Sequence, residues 1–353
     1  MSNSNWFSKQ VLSWYGEAGR KDLPWQQPAS PYRVWISEIM LQQTQVKTVI
    51  PYFIKFIKRF PNVETLAKAS VDEVLSHWAG LGYYARGRNL HRAAQEIVEH
   101  DQGIIPSELD DLIALPGIGR STAGAIRSLG FEQRATILDG NVKRVLSRYH
   151  AIETWPGEKE TSNLLWSLAE GHTPQNQFRE YTQAMMDLGA TVCTLRAPNC
   201  AHCPLQTRCK GFKTGNPRQF PKTKARAPLP VKTIQFLCCL NDRGEVLLEK
   251  RPNFGIWGGL WSFPETLANA DPKSICHDEW GLSVQIKSKF EVKRHTFTHY
   301  HLDFQTVVLK TRQSPSKLAK TNAAWYKLEP KLKVGLPKPV AAIWSALCRD
   351  KAS

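Results

Sequence analysis

The stretch that decides the fold of this chain is LPGIGRSTAGAIRSL, residues 115–129. Pro116 should end one helix, and Gly117 and Gly119 can adopt the backbone angles of a tight turn without steric cost. A new helix should then begin near Ser121 with its first backbone N–H groups unpaired. The segment therefore predicts two helices joined by a hairpin.

The unpaired N–H groups of this hairpin indicate an anionic partner. No acidic residue lies between Asp111 and Glu132, whereas Arg120 and Arg127 are basic. A helix N-terminus in such surroundings favours an external anion such as a phosphodiester. An ordinary turn between two helices explains the same residues, so this stretch alone leaves both interpretations open.

A second signal is Asp139 in ILDGNVKRVLSR, residues 137–148. A helix cap in front of Asn141 would be an ordinary role for this carboxylate. The order LPGIG, helix, LDGNVKR nevertheless resembles the helix-hairpin-helix superfamily of DNA glycosylases. The resemblance implies that Asp139 faces the sugar of an extruded nucleotide. It assigns the contacts with DNA phosphates to the hairpin residues Gly117, Gly119, Arg120 and Ser121.

Composition is consistent with a nucleic-acid partner. Lys and Arg total 47 against 31 acidic residues, a net charge of +16, which favours phosphate binding through counterion release. A basic surface without such a partner would give the same balance. The length of 353 residues predicts two domains. No apolar run is long enough to span a membrane and the N-terminus has no signal-peptide pattern, so we expect a cytoplasmic, DNA-associated monomer with no membrane partner.

Up to about Lys210 the chain has the pattern of an all-α domain. Residues 34–50 carry apolar side chains at helical spacing, with Pro51 near the end of the predicted helix. Glu38 interrupts this apolar segment. Its side chain is solvated if it lies on the far face, but in a closed pocket burial would raise its pKa and keep it protonated.

Five segments of this helical part resemble MutY-type adenine DNA glycosylases, which implies that family's fold and activity. They are LPWQ (23–26), PYRVW (31–35), SEIMLQQTQV (37–46), GLGYYARGRNL (80–90) and QAMMDLGATVC (183–193). The resemblance implies a helix-hairpin-helix glycosylase domain over residues 1–212.

GLGYYARGRNL also has features of its own. Gly80 and Gly82 allow close backbone approach, and Tyr83 offers a ring for stacking on bases. A loop whose tyrosines fill the core is the alternative. In the resembled family, the residue at the position of Tyr83 inserts its ring beside the mispaired base while the target nucleotide is extruded.

Four cysteines with metal-site spacing follow: Cys193, Cys200, Cys203 and Cys209. Four thiolates can hold either a tetrahedral zinc or an iron-sulfur cluster, and the spacing by itself leaves both open. The resemblance implies one 4Fe-4S cluster with a mainly structural role. Arg196 and Arg208 lie near these ligands, where phosphate contact and ordinary solvation are equally plausible roles. The other four cysteines are scattered, which suits a reducing compartment better than a disulfide framework.

Residues 213–232 contain four prolines, six basic residues and no acidic one, which predicts a linker. Strand patterns then occur at residues 233–240, 245–251, 300–310 and 323–328, and a helix is expected from Lys338 to Arg349. This predicts an α+β domain over residues 233–353. GIWGGLWSFPE (255–265) resembles the Nudix-like C-terminal domain of the MutY family.

A hydrolysing Nudix domain needs a helix with several glutamates to hold divalent cations. Here SICHDEWGL offers only Asp278 and Glu279, so we expect recognition and not hydrolysis. The FTH sequence at residues 297–299 resembles the family's loop that contacts the damaged guanine. Thr298 occupies a position where serine is commoner in that family. The resemblance therefore assigns 8-oxoguanine recognition to Phe297, Thr298 and His299.

The resemblance also assigns the other site residues. The adenine pocket would comprise Trp25, Leu41, Val46, Gln183 and Met186. Further DNA contacts, on the side of the opposite base, would come from Gln43, Thr44, Leu81 and Tyr83.

The chemistry of an N-glycosidic bond needs an acid for the leaving base and an anion near the developing oxocarbenium ion. Glu38 is the expected acid, delivering its proton to adenine N7. Asp139 is the expected stabiliser, oriented by Asn141, and the two carboxylates should have opposed pKa values.

The expected reaction is hydrolytic removal of adenine opposite 8-oxoguanine or guanine, without strand cleavage. Ser121 stands where lyase-competent relatives carry lysine, and a hydroxyl cannot form a Schiff base. Two other interpretations remain open. One is a DNA-binding or redox-sensing protein on a glycosylase scaffold. The other is a Nudix hydrolase formed by the second domain.

Overall fold

The computed structural model describes residues 3–224, 227–312, 322–330, 332 and 334–352. The α-helices within these ranges are α1 (Asn3–Ala18), α2 (Pro31–Leu41), α3 (Val46–Arg59), α4 (Val63–Lys68), α5 (Val71–Trp78), α6 (Ala85–Asp101), α7 (Leu109–Ala114), α8 (Arg120–Ala125), α9 (Gly140–His150), α10 (Lys159–His172), α11 (Phe178–Asp187), α12 (Lys210–Lys213), α13 (Pro272–Trp280) and α14 (Lys338–Ala352). Single π-helical turns extend α8 over Ile126–Gly130 and α11 over Leu188–Val192.

The chain divides into two compact units. The helical unit consists of Met1–Lys68 and Asn89–Ala225, and the sheet unit consists of Ala69–Arg88 and Arg226–Ser353. The multidomain fold class, an all-α domain followed by an α+β domain, is confirmed. One segment departs from the predicted division, because residues 69–88, with α5 and Tyr83, group with the sheet unit. Sequence order alone could not indicate this grouping, which depends on long-range contacts.

The predicted linker is partly structured. Its first residue closes α12, and Pro217–Gln219 form a 3₁₀ turn. Phe220 is only 2% exposed, and its carbonyl accepts a hydrogen bond from Arg148 Nε at 3.0 Å. Burial of the phenyl ring stabilises the folded state by roughly 1.5–3 kcal/mol. Part of the basic stretch therefore packs in the helical unit.

The predicted helix over residues 34–50 is in fact two helices. Ser30 caps α2 through the backbone N–H of Arg33, and a proline follows at the first helical position. α2 ends at Leu41 because Gln43 adopts a left-handed φ of 59°. α3 begins at Val46, so Pro51 lies inside a helix and not near its end. The prediction of one continuous helix was wrong because helical spacing of apolar residues continues across this tight turn.

The hairpin has the predicted form with two differences. Gly117 has a φ of 81°, and a Cβ there would lie 2.9 Å from Asn89 Cβ, so glycine is required. Gly119 has an ordinary φ of −93°, so the expectation that it supplies a special turn angle was wrong. The second helix begins at Arg120, one residue before the expected start, with Gly119 as its N-cap.

The sheet unit contains eight strands among its described residues. They are β1 (Val231–Leu240), β2 (Glu245–Lys250), β3 (Trp261–Ser262), β4 (Glu265–Leu267), β5 (Gln285–Lys289), β6 (Lys293–Thr296), β7 (His301–Lys310) and β8 (Ala323–Lys327). The main order is β3-β2-β1-β7-β5, while β4 pairs with β1, β6 with β7 and β8 with β2. β1 and β7 are parallel, and the other pairs are antiparallel.

The core of the sheet unit lies between the central strands and α13. Leu237 and Leu247 from the sheet and Trp280 from the helix are buried there. The predicted strands over residues 233–240, 245–251, 300–310 and 323–328 correspond to β1, β2, β7 and β8. The terminal helix begins at the predicted Lys338. β5 was not expected, since each of its side chains is exposed and its sequence does not alternate.

Candidate active site

Two acidic side chains of the helical unit, Glu38 and Asp139, are close enough for the charge of one to act on the other. Glu38 lies in the last two turns of α2, and Asp139 is the N-cap of α9, where its Oδ1 accepts from the Val142 backbone N–H at 2.8 Å. The capping role considered from the sequence is therefore real. It coexists with proximity to Glu38, because the charge of Asp139 acts on the Glu38 carboxyl.

Burial controls the protonation of Glu38. It raises the pKa of this carboxyl from 4.5 to about 8, and the charge of Asp139 adds to the rise. Burial also raises the pKa of Asp139, whereas the hydrogen bonds from Val142 and Asn141 and the charge of Arg144 oppose that rise. The two pKa values therefore move in the same direction, not in opposite directions as expected. Glu38 lacks these counteracting contacts, so it is the protonated member at neutral pH.

A chain of hydrogen bonds holds Asp139 from behind. Asn141 Nδ2 donates to Asp139 Oδ2 at 3.0 Å, and Arg144 Nη2 donates to Asn141 Oδ1 at 2.8 Å. Arg144 also donates to the carbonyls of Gly189 at 2.7 Å and Cys193 at 2.8 Å. A Cβ at Gly189 would lie 2.5 Å from Asn141 Cβ, so only glycine permits this approach. Asn141 is thus placed to orient Asp139.

The residues assigned to an adenine pocket lie on three parts of the helical unit. Trp25 is buried and packs edge-on against Phe53, with ring centroids 5.4 Å apart. Leu41 ends α2 and Val46 begins α3, and both are partly exposed. On α11, Gln183 is buried and Met186 is partly exposed.

Sequence reasoning missed a buried ion pair beside these residues. Asp187 is 1% exposed, and it accepts hydrogen bonds from Arg20 Nη2 at 2.6 Å and from Gln183 Nε2 at 2.8 Å. The amide of Gln183 is therefore held in a defined orientation. The available signal was Asp187 itself, an acidic residue within the otherwise uncharged segment QAMMDLGATVC.

The hairpin presents a helix N-terminus with no side-chain cap. Ser121 is partly buried, and its Oγ accepts from the Leu138 backbone N–H at 3.0 Å. The Arg120 guanidinium lies 4.0 Å from the centre of the Trp166 ring. Arg127 Nη2 lies 3.4 Å from Oε2 of Glu108, an acidic residue that precedes the hairpin. Arg120 is exposed and remains accessible to an anion, whereas Arg127 serves the hairpin itself.

The four clustered cysteines line one recess. None of the four forms a disulfide bond. Arg148, which is buried, donates to the carbonyls of Cys193, Thr194, Leu195 and Phe220 and to the sulfur of Cys193. This arginine was also missed, although a basic residue within the apolar pattern of α9 was a signal. Among the residues that the structure describes, no group of three or more His, Cys, Asp or Glu side chains has the arrangement of a preformed metal site.

Burial disfavours the ionised thiolate form of three of these cysteines. It raises the pKa of Cys203 to about 12, and it raises the pKa values of Cys200 and Cys209 as well. These three thiols would ionise more readily with positive charge close by. Four cysteines that line one recess, with Arg148 beside them, supply the sulfur donors that an iron-sulfur cluster would require.

The sheet unit contains two of the segments that the sequence assigned to contacts with the opposite base. Leu81 is buried, while Tyr83 is 47% exposed and has a left-handed φ of 50°. Thr298 and His299 are exposed in the turn between β6 and β7, and Phe297 is partly buried. Gln43, which is exposed, and Thr44, which is partly buried, lie in the helical unit between α2 and α3. On α13, Asp278 contacts the adjacent His277 at 3.2 Å.

Comparison with known proteins agrees with this arrangement. Residues 36–170 match the model of the HhH-GPD superfamily of base excision DNA repair proteins, and residues 235–346 match the NUDIX domain model. An adenine DNA glycosylase from Buchnera aphidicola subsp. Baizongia pistaciae is 40% identical, covering 96% of this chain and 95% of the relative. The chain belongs to the adenine DNA glycosylase family. It is accordingly a DNA-binding N-glycosylase of base excision repair.

More distant members of the adenine DNA glycosylase family and solved structures extend the comparison. The Homo sapiens adenine DNA glycosylase is 34% identical, with 90% of this chain and 70% of the relative covered. A thermostable thymine-DNA glycosylase has a TM-score of 0.55 and 26% identity over 60% of this chain and 97% of that one. A non-covalent endonuclease III–DNA complex has a TM-score of 0.51 and 19% identity over 61% and 99%, which shows a shared fold.

Proposed function

We propose that this protein removes adenine mispaired with 8-oxoguanine or guanine by hydrolysing the N-glycosidic bond. The observation that carries the proposal is the carboxylate pair, in which Glu38 has a pKa of about 8 and Asp139 is held by Val142 and Asn141. A DNA-binding or redox-sensing protein on the same scaffold would have no use for two such groups. A partly buried glutamate with a raised pKa and no role would reduce stability.

The chemistry assigns one role to each carboxylate. Glu38, protonated at neutral pH, donates its proton to adenine N7 as the bond between C1′ and N9 breaks. The electron pair leaves with the base, and positive charge develops on the sugar. Asp139, the member with hydrogen bonds to its ionised form, stabilises that charge. Water then adds to C1′ and loses a proton, which gives an abasic site.

Asn141 acts through Asp139. Its amide donates to Asp139 Oδ2, while Arg144 fixes the amide from the other side. The carboxylate is therefore preorganised and need not rearrange when the sugar becomes charged. The adenine would be enclosed by Trp25, Leu41, Val46, Gln183 and Met186.

For recognition of the opposite base, we infer roles for residues in each unit. Gln43 and Thr44 supply polar atoms, and Leu81 and Tyr83 supply an apolar surface and a ring that fills the stack. The exposed hydroxyl and imidazole of Thr298 and His299, with Phe297 beside them, would contact 8-oxoguanine. Gly117, Gly119, Arg120 and Ser121 would hold backbone phosphates, and the net charge of +16 supports strong salt dependence.

We further propose that Cys193, Cys200, Cys203 and Cys209 hold one 4Fe-4S cluster. When bound, it would supply four iron-thiolate bonds that tie the chain between the end of α11 and α12 into the helical unit. The hydrogen bonds from Arg148 to three carbonyls of this loop support the same structural role.

The enzyme should be monofunctional. A Schiff base needs an amine, whereas Ser121 offers a hydroxyl that already accepts from Leu138 N–H. Arg120 beside it offers a guanidinium and no free amine, and it stacks on Trp166. We also expect the protein to act as a cytoplasmic monomer, held on the nucleoid by DNA binding. No helix of the described residues has the length and apolarity of a membrane span.

The experiment is single-turnover excision on a duplex containing adenine opposite 8-oxoguanine. Glu38→Gln and Asp139→Asn should each reduce the rate by roughly 100-fold or more while DNA binding persists. A near-wild-type rate in either variant would remove that residue from its proposed role.

A further inference from the structure

The turn that carries Tyr83 and the loop that carries Thr298 belong to the same compact unit. We propose that Arg88 and Trp257 are positioning residues that couple the Tyr83 turn (residues 80–84) to the recognition loop (residues 297–299). The connection runs through residues 251–259, which we name the bridging loop. This inference rests on the proposed reading of 8-oxoguanine by the two elements, although the coupling itself can be measured without DNA.

The Tyr83 turn is internally fixed. Trp78 Nε1 donates to the Gly82 carbonyl at 3.2 Å, and Arg86 Nη2 donates to the same carbonyl at 3.0 Å. The Gly80 N–H donates to the Tyr84 hydroxyl at 3.2 Å. These bonds hold the left-handed conformation of Tyr83 and keep its ring 47% exposed. The turn therefore moves as a body when its attachment moves.

Arg88 attaches this turn to the bridging loop. Its Nη1 donates to the Gly258 carbonyl, and its Cδ would lie 3.3 Å from a Cβ at Gly259. A second attachment is the ion pair between Asp72 on α5 and Lys250 at the end of β2, at 2.8 Å. The Arg88 contact lies near the C-terminal end of the bridging loop, and the Lys250 ion pair lies directly before its N-terminal end. The segment that carries the Tyr83 turn therefore sets the position of this loop.

Trp257 attaches the bridging loop to the recognition loop. It immediately precedes Gly258 and is only 9% exposed. Its ring centroid lies 5.1 Å from that of Phe297 and 5.7 Å from that of His295. The residue has a φ of 56°, which side chains other than glycine rarely adopt. The ring is held in place at a backbone cost, which indicates that its position matters.

The recognition loop is held by the same aromatic contacts. The Phe297 N–H donates to the Tyr300 carbonyl at 2.9 Å and closes the turn. Within the recognition loop, the Phe297 ring packs against the Trp257 ring, while Thr298 and His299 are exposed. A shift of Trp257 therefore moves Phe297 and displaces the two polar side chains. Recognition of the lesion and insertion of the Tyr83 ring would then be adjusted together.

Hydrogen exchange on the free, full-length protein tests the coupling. Arg88→Ala should accelerate amide exchange by about tenfold both in residues 256–260 and in residues 295–300. Trp257→Phe keeps a ring and should give a smaller effect confined to the same two segments. Arg92→Ala is the matched control, because Arg92 also lies on α6, is 63% exposed and pairs with Glu96 one helical turn away. Acceleration near Arg88 alone, with residues 295–300 unchanged, would overturn the proposal.

A double-mutant cycle supplies the functional readout. The ratio of single-turnover excision rates opposite 8-oxoguanine and opposite guanine should fall by roughly fivefold to tenfold in Arg88→Ala. In the Phe297→Ala background the same change should have little further effect, since the coupled ring is absent. Additive losses would contradict coupling. If Phe297→Ala leaves the ratio unchanged, the proposed recognition role fails, whereas the exchange result still decides the coupling.

Discussion

The protonation state of Glu38 is open to direct measurement by isotope-edited infrared spectroscopy of its carboxyl group. Wild-type protein should show a protonated carboxyl at pH 7 that ionises with a pKa near 8, well above its ordinary value of 4.5. Glu38→Gln identifies the band. Glu17→Gln, on the exposed side of α1, is the matched control and should leave the band unchanged.

Asp139→Asn gives the magnitude a second check. Burial is the larger cause of the raised pKa of Glu38, and the charge of Asp139 is the smaller. Removing that charge should lower the pKa of Glu38 by less than half of the interval between 4.5 and 8, to no lower than about 6. A fall to its ordinary range would show that the neighbouring charge, and not burial, keeps Glu38 protonated.

Rate and stability should follow the same pKa. The kcat/KM for excision should fall about tenfold per pH unit above pH 8, as the acid loses its proton. Because the pKa is higher in the folded state, the contribution of Glu38 to stability is complete below pH 4.5 and is lost as pH rises towards 8. Glu38→Gln should therefore unfold less easily at pH 7, by about 1–3 kcal/mol after allowance for solvent screening. An inactive variant that is also destabilised, or a rate that stays flat to pH 9.5, would refute the reasoning.

Three further outcomes are expected. Ser121→Lys places an amine at the hairpin and should give a borohydride-trappable DNA complex that the wild type does not give; robust trapping by the wild type would contradict its monofunctional character. Cys200→Ser should lose the brown colour and weaken folding, and one zinc without sulfide in the wild type would contradict the cluster. Burial lowers the pKa values of His150 and His172 from 6.5 to about 4. Their neutral forms therefore stabilise the fold above pH 6.5, and this contribution, on the order of 3 kcal/mol for the pair, is lost as pH falls towards 4. Denaturation of His172→Phe, with the exposed His100→Gln as control, should show a weaker acid dependence only in the former.

Local signals predicted the elements around the site well. Pro116 and Gly117 mark the hairpin, and the capping role of Asp139 could be considered from the sequence because it depends on residues only a few positions away. The break at Gln43 was missed, because the apolar pattern continues on both sides and only the backbone angle reveals the turn.

Long-range contacts could not be predicted from one sequence. Arg20 and Asp187 are 167 positions apart, and Arg88 and Gly258 are 170 apart. No periodicity relates such residues. Similarly, the pKa of Asp139 rises together with that of Glu38, because burial depends on the packed surroundings of each carboxyl and not on its neighbours in sequence.

The most direct test uses purified protein and a duplex with a single adenine opposite 8-oxoguanine. The adenine-containing strand should stay intact after incubation and break at that position after alkali, with free adenine released. Adenine should also be released faster than from the matching duplex with guanine. An intact strand after alkali, with DNA binding retained, would contradict the proposed excision.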